Sequence, residues 1–159
     1  MNASIIVTTY NSRIVLEKTL DSLLKQNFSG NYEIIVVNDG STDETKKFLD
    51  EYKKDKKNLK VFHKKNEGVC KARNKGIFEA KYEIIINMDH DCIAKKDWLE
   101  KMVKGFDSEK VGVVSAYDYY GGTSTAFKKE LLKKVGGYDE AYGYYREDTD
   151  LSFKIMDLG

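Results

Sequence analysis

Short runs of apolar, mostly β-branched residues alternate along this chain with segments whose apolar residues recur at helical spacing. Residues 3–9, 32–38 and 82–88 are such runs, and each precedes a helical stripe. The first stripe places Leu16, Leu20 and Leu23 on one face of a helix. Weaker strand signals lie at 59–63 and 111–117, and a further helix is predicted over 67–80. The repeated order of strand and helix restricts the chain to the α/β class.

The apolar runs are continuous and do not alternate between apolar and polar residues. Such strands are buried on both faces, which predicts a mostly parallel central sheet with helices on both faces. The 159 residues, 41% of them hydrophobic, are expected to form a single domain over 1–159. The 27 basic and 26 acidic residues nearly cancel, which argues against nucleic acid as a partner.

The cellular location is predicted from what the sequence lacks. Cys70 and Cys92 do not have the spacing of a zinc site or of a disulfide framework. The first residues do not resemble a secretory signal, and the apolar runs are far shorter than the ~20 residues that span a bilayer. We therefore expect a cytoplasmic protein, with any membrane contact being peripheral, at the inner face of the membrane.

Polar residues follow three of the predicted strands. Because parallel sheets bind ligands beyond the carboxyl ends of their strands, these residues are the first candidates for a site. After the second strand, Asp39 could accept a hydrogen bond from a ribose hydroxyl or a base N–H, and Gly40 allows a tight turn. The alternative is a plain turn followed by a capping box over 41–44, with a helix after it.

The segment Asp89-His90-Asp91 follows the predicted strand at 82–88. Two carboxylates one residue apart can hold a hard divalent cation and leave positions open for phosphate oxygens and water. The alternative is an acidic surface turn. A Walker-type NTPase also has an aspartate after such a strand, but the sequence contains no matching phosphate loop.

Acidic residues open the last predicted helix. Asp148 could serve as a general base, and the alternative is that Asp148 or Thr149 caps the helix. The three arginines all lie in or beside the candidate segments, where they suit either anion recognition or ordinary salt bridges. They are Arg13, Arg73 and Arg146.

Five segments, in this order and at this spacing, resemble glycosyltransferase family 2. They are 4–11 (SIIVTTYN), 35–43 (IVVNDGSTD), 72–76 (ARNKG), 89–91 (DHD) and 136–148, which opens with GGYDE and ends with ED. The resemblance covers almost the whole chain. It implies a Rossmann-like GT-A fold, a nucleotide-diphosphate sugar donor, a divalent cation (Mn²⁺ or Mg²⁺) and inversion at the anomeric carbon.

The resemblance also assigns residues to the donor side of the site. Asp39 resembles the carboxylate that reads the base, and Arg73 resembles the donor-side arginine of the family. UDP is the expected nucleotide because it is the commonest in the family. The nucleotide-facing first loop is represented by Thr8, Tyr10 and Asn11.

The chemistry is assigned in the same way. In the DxD motif, Asp89 resembles the ribose and sugar contact, and Asp91 resembles the metal ligand that bridges to the diphosphate, with both acids as candidate ligands. Asp148 resembles the catalytic base, and Glu147 is expected to orient the acceptor or the base. The implied acceptor is a saccharide, a lipid-linked group or a protein, as in the synthesis of cell-envelope polysaccharides.

The sequence departs from the family pattern at a few positions. Thr8 stands where the family often has proline, and Asn38 where it often has aspartate. A downstream histidine that many relatives use as a further metal ligand is not identified. Only 11 residues follow Asp148, so the domain is expected to be short or truncated on its acceptor side.

Three other functions are compatible with parts of the sequence. One is a non-catalytic domain that binds nucleotide sugars. Another is a sugar-phosphate nucleotidyltransferase, whose Gly-rich N-terminal loop is missing here. A protein interface is a third, suggested by an aromatic cluster that would also suit sugar stacking. The cluster consists of Tyr138, Tyr142, Tyr144 and Tyr145.

Overall fold

Six strands form one sheet in the part of the chain that a computed structural model describes, which comprises residues 1–116, 124–143 and 146–158. The strands are β1 (Ala3–Thr9), β2 (Tyr32–Asp39), β3 (Leu59–Lys64), β4 (Ile84–Asp89), β5 (Val113–Ser115) and β6 (Thr125–Lys128). The helices are α1 (Arg13–Leu24), α2 (Thr45–Tyr52), α3 (Val69–Glu79), α4 (Trp98–Lys104), α5 (Lys129–Val135) and α6 (Glu147–Met156).

The sheet has the strand order β3-β2-β1-β4-β6-β5. The first four strands are parallel, and β6 pairs antiparallel with both β4 and β5. The prediction of a mostly parallel sheet is therefore confirmed. The order of the strands reverses between β1 and β4, and open α/β sheets form their ligand crevice at such a point.

Two hydrophobic cores lie on opposite faces of the sheet, because successive side chains of a strand point to opposite faces. Ile5 and Val7 of β1 belong to one core, whereas Ile6 belongs to the other. Side chains of α1, α2 and α4 complete the first core, and those of α3, α5 and α6 complete the second. This placement confirms the predicted helices on both faces and explains why the strands read as continuous apolar runs.

The sequence did not predict β6 and α5. β6 has only 4 residues, and α5 buries only Leu132 among its 7, so neither shows a clear apolar period. The predicted strand at 111–117 is reduced to Val113–Ser115 in the described part, and the predicted helix at 67–80 begins at Val69.

The predicted capping box over 41–44 is wrong. The helix begins at Thr45, and the Ser41 hydroxyl donates to Asn38 Oδ1 instead of capping the helix. The alternative that Asp148 or Thr149 is the cap of the last helix does not hold either, because that helix begins at Glu147 and its N-cap residue is Arg146. A left-handed Arg146, at φ +67°, turns the chain into the helix.

Candidate active site

A cavity of about 360 Å³ opens at the carboxyl ends of β1 and β2. Its lining includes three of the predicted site residues, Thr8, Tyr10 and Asp39, together with His90 from the segment after β4. The cavity lies beside the point where the strand order reverses, where the topology predicts a ligand crevice.

Asn11 does not line this cavity but fixes the loop beside it. Its Oδ1 accepts hydrogen bonds from the backbone N–H of Thr42 at 2.7 Å and of Asp43 at 3.3 Å. The φ of Asn11 is +49°, a conformation that asparagine adopts more readily than most residues. Asn11 therefore connects the loop after β1 to the loop after β2.

Asp39 is buried at the end of β2, where its carboxylate holds the loop before α3. Oδ1 accepts from Lys64 Nζ at 2.7 Å and from the Glu67 N–H at 3.1 Å, and Oδ2 accepts from the Gly68 N–H at 2.9 Å. The predicted tight turn at Gly40 is confirmed by its φ of +74°. A Cβ at this position would lie 2.4 Å from the backbone nitrogen of Asn66, so only glycine fits.

Three side chains at the end of β4 and in the turn after it could hold a metal ion. One ligand atom from each of Asp89, Asp91 and Cys92 lies within 4.8 Å of the other two. The sequence predicted the two carboxylates, which suit Mn²⁺ and Mg²⁺. It did not predict Cys92, although the position of this cysteine directly after Asp91 could have suggested it as a third metal ligand. The two carboxylates fit the expected divalent cation, and the thiol adds a softer donor.

Arg73 of α3 lies among the acidic residues of the site. Its Nη1 donates to Glu147 Oε1 at 2.8 Å and to Asp148 Oδ1 at 3.1 Å, and its Nη2 lies 3.8 Å from Asp89 Oδ1. One guanidinium thus contacts carboxylates from β4 and α6. Of the three arginines, Arg13 pairs with Glu17 on the surface, and Arg146 is exposed.

The two acids that open α6 have different environments. Glu147 is buried against Arg73, a position that suits orienting the base better than contacting an acceptor. The side chain of Asp148 stays 17% exposed. Burial raises the pKa of Asp148 to about 6, with Arg73 opposing this shift and Glu147 adding to it. Asp148 therefore combines access to solvent with the pKa of a proton acceptor near neutral pH.

The tyrosine cluster predicted near the end of the chain is only partly described. Tyr138 is buried, and its hydroxyl donates to Asp148 Oδ1 at 3.1 Å. Tyr142 is partly exposed, and Tyr144 and Tyr145 lie outside the described residues. The sequence did not indicate that Tyr138 contacts Asp148, although both belong to the segment 136–148.

The chain matches a protein-family model over almost its whole length. The model for "Glycosyl transferase family 2" matches residues 4–157. The chain belongs to glycosyltransferase family 2. The predicted resemblance is thereby confirmed over nearly the whole sequence.

Curated glycosyltransferases include similar but longer proteins. The uncharacterized glycosyltransferase YfnE of Bacillus subtilis is 32% identical over 143 residues, which are 86% of this chain and 36% of that protein. An uncharacterized glycosyltransferase of Haemophilus influenzae is 41% identical over 101 residues, which are 63% of this chain and 31% of that protein. The chain thus spans about a third of the length of these two relatives.

Solved structures of glycosyltransferases have the same fold. The mannosyltransferase PcManGT of Pyrobaculum calidifontis, in complex with GDP-Man and Mn²⁺, superposes with a TM-score of 0.89 at 26% identity, covering 99% of this chain and 52% of that one. TarS 1-349 of S. aureus, in complex with UDP-GlcNAc, gives 0.80 at 26% identity, covering 98% and 53%. The predicted GT-A fold is confirmed.

Within 1–116, 124–143 and 146–158, no helix combines the length and the low polarity that crossing a bilayer requires.

Proposed function

We propose that this domain forms the donor site and the catalytic base of an inverting glycosyltransferase. The reaction moves a sugar from a nucleotide-diphosphate donor, a UDP-sugar, to an acceptor hydroxyl. The observation that carries the proposal is the position of Arg73, which bonds to Asp148 and lies 3.8 Å from Asp89. The proposed base and the first acid of the DxD motif therefore lie on either side of one guanidinium.

Asp148 accepts the proton of the acceptor hydroxyl in this proposal. The acceptor oxygen forms a bond to C1 of the sugar as the bond from C1 to the diphosphate oxygen breaks. The electron pair leaves with the diphosphate, so no covalent enzyme intermediate is required. A carboxylate with a pKa of about 6 is largely ionised at pH 7, yet basic enough to assist this proton transfer.

Asp91 and Asp89 would hold the cation, Mn²⁺ or Mg²⁺, with Cys92 beside them. When bound there, a divalent cation neutralises the charge that develops on a departing diphosphate. Arg73 and Glu147 keep Asp148 at the edge of this acidic cluster.

The donor site in this proposal is the cavity lined by Thr8, Tyr10 and Asp39. Two lines of support point to a nucleotide sugar: the similar structures contain GDP-Man or UDP-GlcNAc, and UDP is the commonest nucleotide in the family. The class of the acceptor, the cytoplasmic location and peripheral membrane contact remain predictions.

The test measures donor binding and turnover separately. By calorimetry, we expect UDP-sugars to bind with Mn²⁺ present, and binding to be lost in Asp91→Asn. The matched control is Asp97→Asn, which removes an exposed carboxylate paired with Lys101 on the surface. Absence of binding to any nucleotide diphosphate would refute the proposal.

Turnover is followed as release of UDP, with or without an acceptor. Asp148→Asn should retain donor binding but slow this release about 10²–10⁴-fold, the usual contribution of a general base. Full turnover by Asp148→Asn would exclude Asp148 as the base. Donor binding by the unmodified protein without any release of UDP would instead identify a non-catalytic binding domain.

A further inference from the structure

The hydroxyl of Tyr138 lies between two side chains that are far apart in the sequence. It donates to Asp148 Oδ1 at 3.1 Å and accepts a hydrogen bond from Nδ2 of Asn87, a buried residue of β4. We propose that Tyr138 is a positioning residue that holds the Asp148 carboxylate in place for proton transfer. This inference rests on the proposed function, because it takes Asp148 as the base.

The direction of the hydrogen bonds follows from the inventory of donors. A tyrosine hydroxyl can donate one hydrogen bond and can also accept one. Here it accepts from the side-chain amide of Asn87. The proton of Tyr138 is therefore directed at Asp148. Asn87 Oδ1 has no hydrogen-bond partner within the described residues. The buried side-chain amide of Asn87 is therefore held by the bond from its Nδ2 to the Tyr138 hydroxyl.

Tyr138 stays protonated over the working range of pH. Burial raises the pKa of its hydroxyl well above the ordinary value of 10.0, and Arg73 opposes that shift only in part. The hydroxyl is thus a permanent donor, whereas a group that titrated near neutral pH would lose this role.

The backbone of Tyr138 is clamped by Asn74 of α3. Asn74 Nδ2 donates to the Tyr138 carbonyl at 2.8 Å, and the Tyr138 N–H donates to Asn74 Oδ1 at 2.8 Å. Gly137 makes this close approach possible. Its φ is +78°, and a Cβ there would lie 2.6 Å from Asn74 Oδ1. Asn74 therefore joins segment 72–76 to segment 136–140 and fixes how deeply the Tyr138 side chain is buried.

Arg73 acts on the same oxygen of Asp148. Its guanidinium lies 5.1 Å from the centroid of the Tyr138 ring and donates to Asp148 Oδ1. Both donors therefore contact Oδ1, which orients the carboxylate and leaves Oδ2 for the proton of an acceptor. Glu147 and Asp89 carry the like charges that act on Asp148, and the two donors offset their repulsion.

The test removes the hydroxyl alone. We expect Tyr138→Phe to lower kcat for UDP release about tenfold or more, the effect of losing one hydrogen bond to a charged group. The donor KM should stay within about twofold, because Tyr138 does not line the donor cavity. The acidic limb of the kcat profile should move to higher pH. A kcat within twofold of the original and an unmoved limb would overturn the inference.

Tyr32→Phe is the matched control. Its hydroxyl donates to the Leu24 carbonyl, at the opposite end of the sheet from the site. This variant should leave kcat, KM and the pH profile unchanged. Equal effects of the two substitutions would mean that Tyr138 contributes only to general stability, and would overturn the inference.

A substrate-free measurement separates this inference from the proposed function. In protein with ¹³C-labelled aspartate, the titration of Asp148 should move to higher pH in Tyr138→Phe and stay in place in Tyr32→Phe. An unmoved titration would overturn the inference even where the protein releases UDP. A moved titration in a protein that releases no UDP would refute the proposed function and leave the contact established.

A second variant covers the case in which Tyr138→Phe does not fold. Asn74→Ala keeps the hydroxyl but removes both hydrogen bonds to the Tyr138 backbone. It should lower kcat more than donor affinity, whereas an unchanged kcat would overturn the inference.

Discussion

Replacing Asp148 by asparagine should remove a loss of folding stability that the original protein undergoes as the pH rises towards neutral. Burial raises the pKa of this carboxyl from its ordinary value of 3.8 to about 6, so ionising it costs more in the folded protein than in the unfolded chain. The protonated form contributes stability fully below pH 3.8, and this contribution is lost as the pH rises through about 6. Asparagine does not ionise and avoids the loss.

The size of the effect follows from the two pKa values. The interval from 3.8 to about 6 corresponds to about 3 kcal/mol in the free energy of unfolding. The stability of Asp148→Asn relative to the original protein should therefore rise by up to about this amount between pH 3.5 and 7.5. The changed hydrogen bond to Arg73 shifts the stability difference between the two proteins by the same amount at every pH. It does not alter how that difference changes with pH.

Urea unfolding at a series of pH values measures this difference. Asp55→Asn, which removes an exposed carboxylate between α2 and β3, is the control for the loss of one acidic group. A relative stability of Asp148→Asn that stays constant or falls as the pH rises would refute the raised pKa. It would leave the greater exposure of the Asp148 side chain as the one physical reason for choosing it over Glu147 as the base.

Two further predictions concern Arg73 and the cysteines. Arg73→Met should lower the free energy of unfolding, measured in urea, by about 3–5 kcal/mol because it leaves the buried Glu147 without its cation. Arg13→Met removes a more exposed ion pair with Glu17 and should lower it by at most about 1 kcal/mol. Similar losses in the two variants would contradict the buried network. Ellman's reagent should modify Cys92, and Mn²⁺ with UDP should slow that reaction because the thiol lies beside Asp91. Cys70 is 1% exposed and burial raises its pKa to about 11, so it should react only on unfolding; reaction of Cys70 in the folded protein, or no protection of Cys92, would count against this view of the site.

The interior of the fold could be predicted from local patterns. The first strand was predicted to the residue, and the second differs by one residue at its end, because a strand buried on both faces must be apolar throughout. Helix starts were less accurate. At 41–44 the predicted capping box does not form, because the Ser41 hydroxyl donates to Asn38 Oδ1 and the Glu44 carboxylate pairs with Lys47.

The candidate site was predicted by position but not by contact. Polar residues after β1, β2 and β4 had to meet at one edge because those strands are parallel. Which of them bond to one another was not predictable. Asp39 holds the loop at 67–68, and Cys92 joins the acidic pair only through the turn after β4.

The sequence by itself determined the α/β class, the mostly parallel sheet and the edge at which the polar segments gather, because apolar period and strand ends are local properties. Only the tertiary structure decided that Arg73 contacts Asp148, 75 residues away, and that Tyr138 reaches Asn87, 51 residues away. The physical reason is burial. The pKa of Asp148 and the direction of its hydrogen bonds depend on which groups surround it, and those groups come from β4, α3, α6 and the segment 136–140.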